Sequence, residues 1–291
     1  MPTLLEFRRR IRSVKNTQQI TRAMKFVAAA RLRRAQEKAL AARPYAREIL
    51  RLLHSAMARV ENPTHPLMAR RPEEKLLVLV LSGDRGLCGA FNTNVLRRAQ
   101  QFFREHRANS LELIPIGKKG RDALRKQNWK LAAEYFNLMT RVEFPKAKEI
   151  AGQVIRRYAD AEVDAVYMIY NEFKSVLTQK LKVEKLLPLE PDVFEQPEEA
   201  SPAGNPVDYI YEQPAEELFA RLLPLYVETQ VFRAMLESSA AELAARMTAM
   251  DSATNNAIEL IDQLTLYMNK VRQAAITKEI LEVVSGAAST A

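Results

Sequence analysis

Two stretches near the opposite ends of this chain constrain its fold more than anything between them. From Thr3 to Arg43 there are 41 consecutive residues without proline or glycine, and from Leu225 to Ser285 there are 61. Both runs are rich in residues that favour helix. At about 1.5 Å per residue, the first makes a helix of about 60 Å and the second one of about 90 Å. Helices of globular proteins average about 10–14 residues, so these two are rods. Pro44 is expected to interrupt the first, and Gly286 to end the second.

Each rod carries a seam. In the first, Val14, Thr17, Thr21, Met24, Ala28, Leu32 and Ala35 recur every three or four residues. Arg8, Arg12, Lys15, Arg22 and Arg33 cluster within about 80° on another face, counting about 100° per residue. In the second, Met247, Met250, Thr254, Ala257, Ile261, Leu264, Met268, Val271 and Ala275 alternate steps of three and four, an unbroken heptad pattern. A lone helix of this kind cannot bury its stripe. The economical solution is an antiparallel pair made by the two ends of the chain, with part of the longer rod unpaired; an ordinary helical bundle is the competing arrangement. Small side chains at Ala28, Ala29, Ala30, Ala257 and Ala275 allow close approach of the axes.

The middle has a different period. The apolar run 76–81 (LLVLVL), the stretch 111–117 (LELIPIG) and the stretch 164–170 (DAVYMIY) predict strands, and 175–189 an edge or antiparallel strand. Helices are expected after the first strand, capped by Asn92 or Thr93, and over 118–128 and 147–158. Alternation of this kind predicts a small α/β domain with a mostly parallel sheet. The resulting fold class is α+β: a long antiparallel two-helix coiled coil from the two termini with a small Rossmann-like α/β domain between. The expected divisions are 1–60, 70–190, a proline-rich and acidic connector at 190–214, and 215–291.

Residues 1–51 hold fourteen basic and three acidic side chains, a local charge of +11 against +9 for the whole chain. Such an arm suits an anionic partner. Cys88 is the only cysteine, which rules out an internal disulfide, and His54, His65 and His106 show no metal-ligand spacing. No run of 18 apolar residues exists and no export signal is apparent, so the chain is expected neither to cross a membrane nor to be exported.

The glycine-rich stretch 82–94, SGDRGLCGAFNTN, follows a strand and precedes a helix, where nucleotide phosphates are often held. It lacks the Gly-Lys-Ser/Thr of a phosphate-binding loop, its glycines at 83, 86 and 89 miss the dinucleotide spacing, and Asp84 would repel a phosphate. A structural junction is the better reading, with Gly83 and Gly86 supplying unusual backbone angles, Gly89 a close helix approach, and Asp84 and Arg85 facing a partner or each other.

The segments RRRIRSVKNTQQITRAMKFVAAARLRRAQ (8–36), SGDRGLCGAFN (82–92) and ARMTAMDSATNNAIELIDQLTLYMNKVRQAAITKEILEVVSGAAS (245–289) together resemble the gamma subunit family of F-type ATP synthases, in the same order and nearly end to end. The resemblance implies a central-stalk rotor with no catalytic site, cofactor or metal of its own. It implies partners in an alpha–beta hexamer, an epsilon subunit and a membrane-embedded c-ring, and a peripheral place on the cytoplasmic side of a bacterial inner membrane. It also implies roles for particular residues. Arg8, Arg9, Arg10, Arg12 and Lys15 would lie near acidic hexamer surfaces, and Ile20–Lys25, with Met24 and Lys25, and Asp251–Gln263, with Asn255 and Gln263, would meet the moving beta subunits. Arg272, Gln273, Thr277 and Glu279 would sit deeper, in a bearing-like sleeve, and Ala28–Tyr45 with Asn205–Tyr211 would form the foot. The thiol switch of plant relatives is not expected with one cysteine. By composition alone the rival is a basic coiled-coil nucleic-acid-binding protein, disfavoured by the slightly acidic second rod; a nucleotide-dependent enzyme fits less well.

Overall fold

A computed structural model describes residues 3–57, 59, 65–176, 178–190 and 214–290, except the side chains of 43, 215 and 286–290. Helix α1 (Leu4–Met57) and helix α5 (Ala215–Thr290) are the two rods. Between them come β1 (Lys75–Leu81), α2 (Phe91–Glu105), β2 (Ser110–Ile116), α3 (Lys118–Lys126), α4 (Phe144–Ala159), β3 (Ala165–Phe173) and β4 (Gln179–Leu187). The chain forms two compact units: a shaft of residues 1–29 and 246–291, and a body of residues 30–245. Of the expected connector at 190–214, residues 191–213 lie outside the described residues.

Both rods continue through the residues expected to break or end them. Pro44 does not interrupt α1, which continues to Met57, and α5 begins nine residues before Pro224. A proline inside a helix costs about 3 kcal/mol. Here the turns after Pro44 bury Ile49, Leu53 and Ala56, and those around Pro224 bury Leu222, Leu223, Tyr226 and Val227. Burial of one such large side chain stabilises by about 1.5–3 kcal/mol, so packing outweighs the local preference. Gly286 does not end α5, which runs on to Thr290; a helical glycine costs only about 1 kcal/mol, and Ala287 and Ala288 beyond it favour helix.

In the body, the sheet order is β2-β1-β3-β4, with β1 parallel to β2 and β3, and β4 antiparallel to β3. Strand β1 is central and buried on both faces from Leu76 to Leu81, which explains its unbroken apolar run. One face packs Val78, Val80 and Ile169 against Val95, Phe102 and Phe103 of α2 and Leu124 of α3. The opposite face packs Leu77, Leu79 and Met168 with Ile150 and Val154 of α4, Leu53 of α1 and Leu223, Val227 and Val231 of α5. Segments of both rods within the body thus belong to its core. Polar bonds add to this: Ser238 Oγ accepts from the Asn171 N–H at 3.2 Å, and Ser239 Oγ donates to the Met139 carbonyl at 2.8 Å.

Candidate functional site

In the shaft unit the two rods meet through a continuous seam. On α1 it comprises buried Phe7, Thr21 and Ala28 and half-buried Ile11, Val14, Gln18, Met24 and Lys25. On α5 all nine seam residues foreseen from the sequence, Met247 to Ala275, are buried or half-buried. Thr17 is a correction: it is exposed and its hydroxyl donates to the Ser13 carbonyl, while Gln18 takes the seam place. A seam period of 3.5 residues, counted from Phe7, falls midway between positions 17 and 18, so the pattern alone does not choose between them.

Three cross-links fix the direction. The Phe7 and Tyr267 rings lie 5.3 Å apart, the Thr21 and Thr254 hydroxyls 2.8 Å apart, and Lys25 Nζ lies 2.5 Å from Asp251 Oδ1. As numbers rise along α1 they fall along α5, so the pair is antiparallel. The hydroxyl pair is buried, and each member also reaches a carbonyl of its own helix, Gln18 at 3.0 Å and Met250 at 2.7 Å. The Lys25–Asp251 pair is partly solvated, with side chains 36% and 45% exposed, so it orients the helices more than it stabilises them.

The pairing stops before α5 does: every residue from 276 to 285 is exposed. Ile276, Ile280, Leu281, Val283 and Val284 therefore present apolar side chains to solvent, Val283 being 72% exposed. Ile20, Phe26, Leu266 and Tyr267 are exposed on the paired part. Five exposed apolar side chains within 276–284 are the kind of surface that interaction sites use. These residues lie off the heptad positions, so a search for the seam passes over them; their signal is apolar character at places the seam does not need.

The foreseen contact residues occupy the surface of this unit. Arg8, Arg9, Arg10, Arg12 and Lys15 are exposed on α1, and none makes an ion pair among the described residues. Met24 and Lys25 are half-buried, and within the foreseen stretches Thr21 is joined to Thr254 and Lys25 to Asp251 across the helix pair. Asn255, Gln263, Arg272, Gln273, Thr277 and Glu279 are exposed along α5, with the Thr277 hydroxyl donating to the Gln273 carbonyl at 3.0 Å. Asn205–Tyr211 lie outside the described residues.

In the body, the glycine-rich loop is a clasp. Asp84 is buried, and its carboxylate accepts from the backbone N–H groups of Lys118 at 3.0 Å, Asn137 at 2.8 Å and Met139 at 3.1 Å. Ser82 Oγ accepts from the Gly120 N–H at 2.8 Å. The amides at the start of α3 that could hold an anion already hold these side chains. Asp84 therefore faces neither a partner nor Arg85. The glycine roles are exchanged relative to expectation. Gly89 has the left-handed φ of 56°. A Cβ on Gly83 would lie 3.1 Å from Asn92 Oδ1, so Gly83 serves the close approach. Asn92 does not cap α2, whose N-cap is Ala90; its side chain accepts from the Gly83 N–H and donates to the Arg85 carbonyl. Among the described residues no group of three or more His, Cys, Asp or Glu is placed to hold a metal, and no helix is long and apolar enough to cross a membrane.

The chain matches the ATP synthase family model over residues 3–290. It is 52% identical to the ATP synthase gamma chain of Solibacter usitatus over 99% of both chains, and 48% identical to that of Pelotomaculum thermopropionicum, again over 99% of both. Among solved structures it is similar to a chain of the Tetrahymena thermophila mitochondrial ATP synthase central stalk and c-ring, with 28% identity and a TM-score of 0.59, covering 80% of this chain and 99% of that one. A chain of the Euglena gracilis mitochondrial ATP synthase rotor, 21% identical with a TM-score of 0.62, shares the fold over 94% of this chain and 98% of its own length.

Proposed function

This chain belongs to the ATP synthase gamma family, and we propose that it is the central-stalk rotor of a bacterial F-type ATP synthase, turning inside an alternating alpha–beta hexamer. The observation that carries this reading is the shaft unit: an antiparallel helix pair whose longer member extends past its partner with an uncovered apolar surface. Ion flow turns the c-ring, the ring turns the shaft, and the shaft's asymmetric surface takes each beta subunit in turn through binding, synthesis and release of ATP. The subunit is non-catalytic; chemistry belongs to the hexamer.

Arg8, Arg9, Arg10, Arg12 and Lys15 offer free cations to acidic hexamer surfaces. Such solvated contacts are individually weak, which suits a surface that must leave each position it reaches. Met24, Lys25, Asn255 and Gln263 meet the moving beta subunits, and Arg272, Gln273, Thr277 and Glu279 seat in the sleeve with the apolar end. Ala28–Tyr45 and Asn205–Tyr211 carry the epsilon and c-ring contacts, which place the protein at the cytoplasmic face of the inner membrane without entering it. Two interlocked helices pass torque better than one because each knob is held in the partner's hole.

The test is reconstitution. The purified chain is expected to cosediment with an alpha–beta hexamer and to restore ATP-driven ion pumping to membranes stripped of their stalk. Failure to bind the hexamer, or retention on duplex DNA at physiological salt in its place, overturns the reading.

A further inference from the structure

Residues 91–130 hold ten lysines and arginines against three carboxylates, a local charge of +7, while the chain outside 1–51 and 91–130 sums to −9. They supply α2 and α3, the layer that covers one face of the body's sheet. Arg97 and Arg104 stand seven residues apart, on the side of α2 opposite its buried Val95, Ala99 and Phe102. Arg107 follows the C-cap of the same helix, His106. On α3, Lys118, Lys119 and Lys126 lie about 100° or more around the helix from buried Gly120 and Leu124, counting about 100° per residue. Because both helices pack on the same face of the sheet, these cations share one outer surface.

Every carboxylate of the stretch is already paired: Glu105 with Arg98 at 3.3 Å, Asp122 with Arg121 at 2.8 Å, and Glu112 with Lys130 and, at 2.6 Å, with Arg157. Arg97, Arg104, Arg107, Lys118, Lys119 and Lys126 are exposed, and none of them forms an ion pair among the described residues. Self-repulsion makes such a cluster a cost to the fold rather than a support. None of the large exposed apolar side chains falls within 91–130, so the face lacks the apolar anchors found at the centre of protein–protein interfaces. Its aromatic side chains, Phe91, Phe102, Phe103 and Trp129, are buried or half-buried, so none offers an open ring on which a base could stack. What the face presents is solvated positive charge without a pocket, which fits an extended field of anionic groups.

We propose that the α2–α3 layer is a docking face for an anionic phospholipid bilayer, which it meets by charge alone and does not enter. The choice of a bilayer over other polyanions rests on the rotor reading, which puts the protein beside a membrane. Lipid head groups move laterally, so a contact made of solvated cations gives way as the body turns, where a fixed partner would hold it. Each Lys or Arg near such a surface strengthens attachment by about fivefold, and the attraction fades within about 8 Å at physiological salt.

The measurement is sedimentation of the full chain with phosphatidylcholine vesicles in which phosphatidylglycerol is absent or makes up about a third of the lipid. To lessen the contribution of α1, the parent carries Arg8→Gln, Arg9→Gln, Arg10→Gln, Arg12→Gln and Lys15→Gln. The parent is expected to bind the anionic vesicles, to leave the neutral ones in suspension, and to be released as salt rises. Adding Arg97→Gln, Arg104→Gln, Lys119→Gln and Lys126→Gln should weaken binding by at least about a hundredfold. Arg97→Lys with Arg104→Lys, which keeps the charge, should leave binding within about twofold. Removing four exposed cations elsewhere on the body, by Arg70→Gln, Lys75→Gln, Arg156→Gln and Lys180→Gln, should weaken it by less than about tenfold. Trp129 packs on Phe103 of α2, so its fluorescence should stay native in each variant. Four results each overturn the proposal: no binding to the anionic vesicles; equal binding to the neutral ones; equal loss from the two sets of four substitutions; or tighter retention on duplex DNA at the same salt through the same four residues. Cosedimentation with the hexamer is measured separately, so this proposal and the rotor reading can fail independently.

Discussion

Replacing Asp84 by alanine tests the clasp that organises the body. The substitution removes both carboxylate oxygens and leaves the N–H groups of Lys118, Asn137 and Met139 without their acceptor. Lys118 and Asn137 are exposed, so water regains access to their amides, at a cost of about 1 kcal/mol each. Met139 is 1% exposed, and its orphaned amide costs about 2–3 kcal/mol. The sum is about 4–5 kcal/mol, a large share of the roughly 5–15 kcal/mol that holds a domain folded. Trp129 is the chain's single tryptophan and packs on Phe103 at 4.7 Å in the core beside α2, so its fluorescence during urea unfolding reports the body. Asp84→Ala should lower the body's unfolding free energy by that amount, and Asp84→Asn, which keeps one oxygen, by roughly half. A loss below about 1 kcal/mol for the alanine variant would refute the assignment of Asp84 as a clasp.

Three further outcomes are expected. Thr21→Val leaves Thr254 without its cross-helix partner and should cost about 1 kcal/mol, whereas the double change Thr21→Val with Thr254→Val should cost less than twice the single; strict additivity in thermal unfolding would show that the hydroxyls do not interact. Truncation after Glu279 removes residues 280–285, all exposed, with those beyond them, so it should weaken cosedimentation with the hexamer and leave the Trp129 signal native; loss of that signal contradicts the division of the chain into two compact units. Burial raises the Glu112 carboxyl, but hydrogen bonds from Lys130 and Arg157 more than offset this and hold it below the usual glutamate value. Its contribution is therefore present above the ordinary carboxylate range and lost as pH falls through the lowered value. Glu112→Gln should flatten the acid side of the stability profile, and an unchanged profile would count against it.

The α5 seam was legible because Met, Ile, Leu and Ala hold nearly every heptad position, so pattern and packing agree. The α1 seam was less so, since Gln18 and Lys25 occupy two of its places and polar residues do not announce burial. Pro44 and Gly286 do not act as breaks because local preference is worth a few kcal/mol at most: packed turns beyond Pro44 outweigh it, and the alanines after Gly286 favour helix. The stretch 82–94 is legible as a junction, but its mechanism is not. The amides that Asp84 holds belong to residues 34, 53 and 55 positions away, and no local pattern links them. Gly83 and Gly89 exchanged roles because a backbone angle is set by what surrounds the turn, which the order of glycines does not record. The contact residues on the shaft were placed through family resemblance; composition alone gave no more than a basic arm.

The alternating three and four of the seam has a mechanical corollary. A 3.5-residue period obliges two helices to wind around each other with a left hand. A two-stranded rope is not its own mirror image: torque in the sense of the winding draws the strands together, and torque in the opposite sense prises them apart. The Thr21–Thr254 rung and the Lys25–Asp251 rung, which tie the strands by polar bonds, are therefore strained unequally by clockwise and anticlockwise loads, and the axle is stiffer in one direction than in the other.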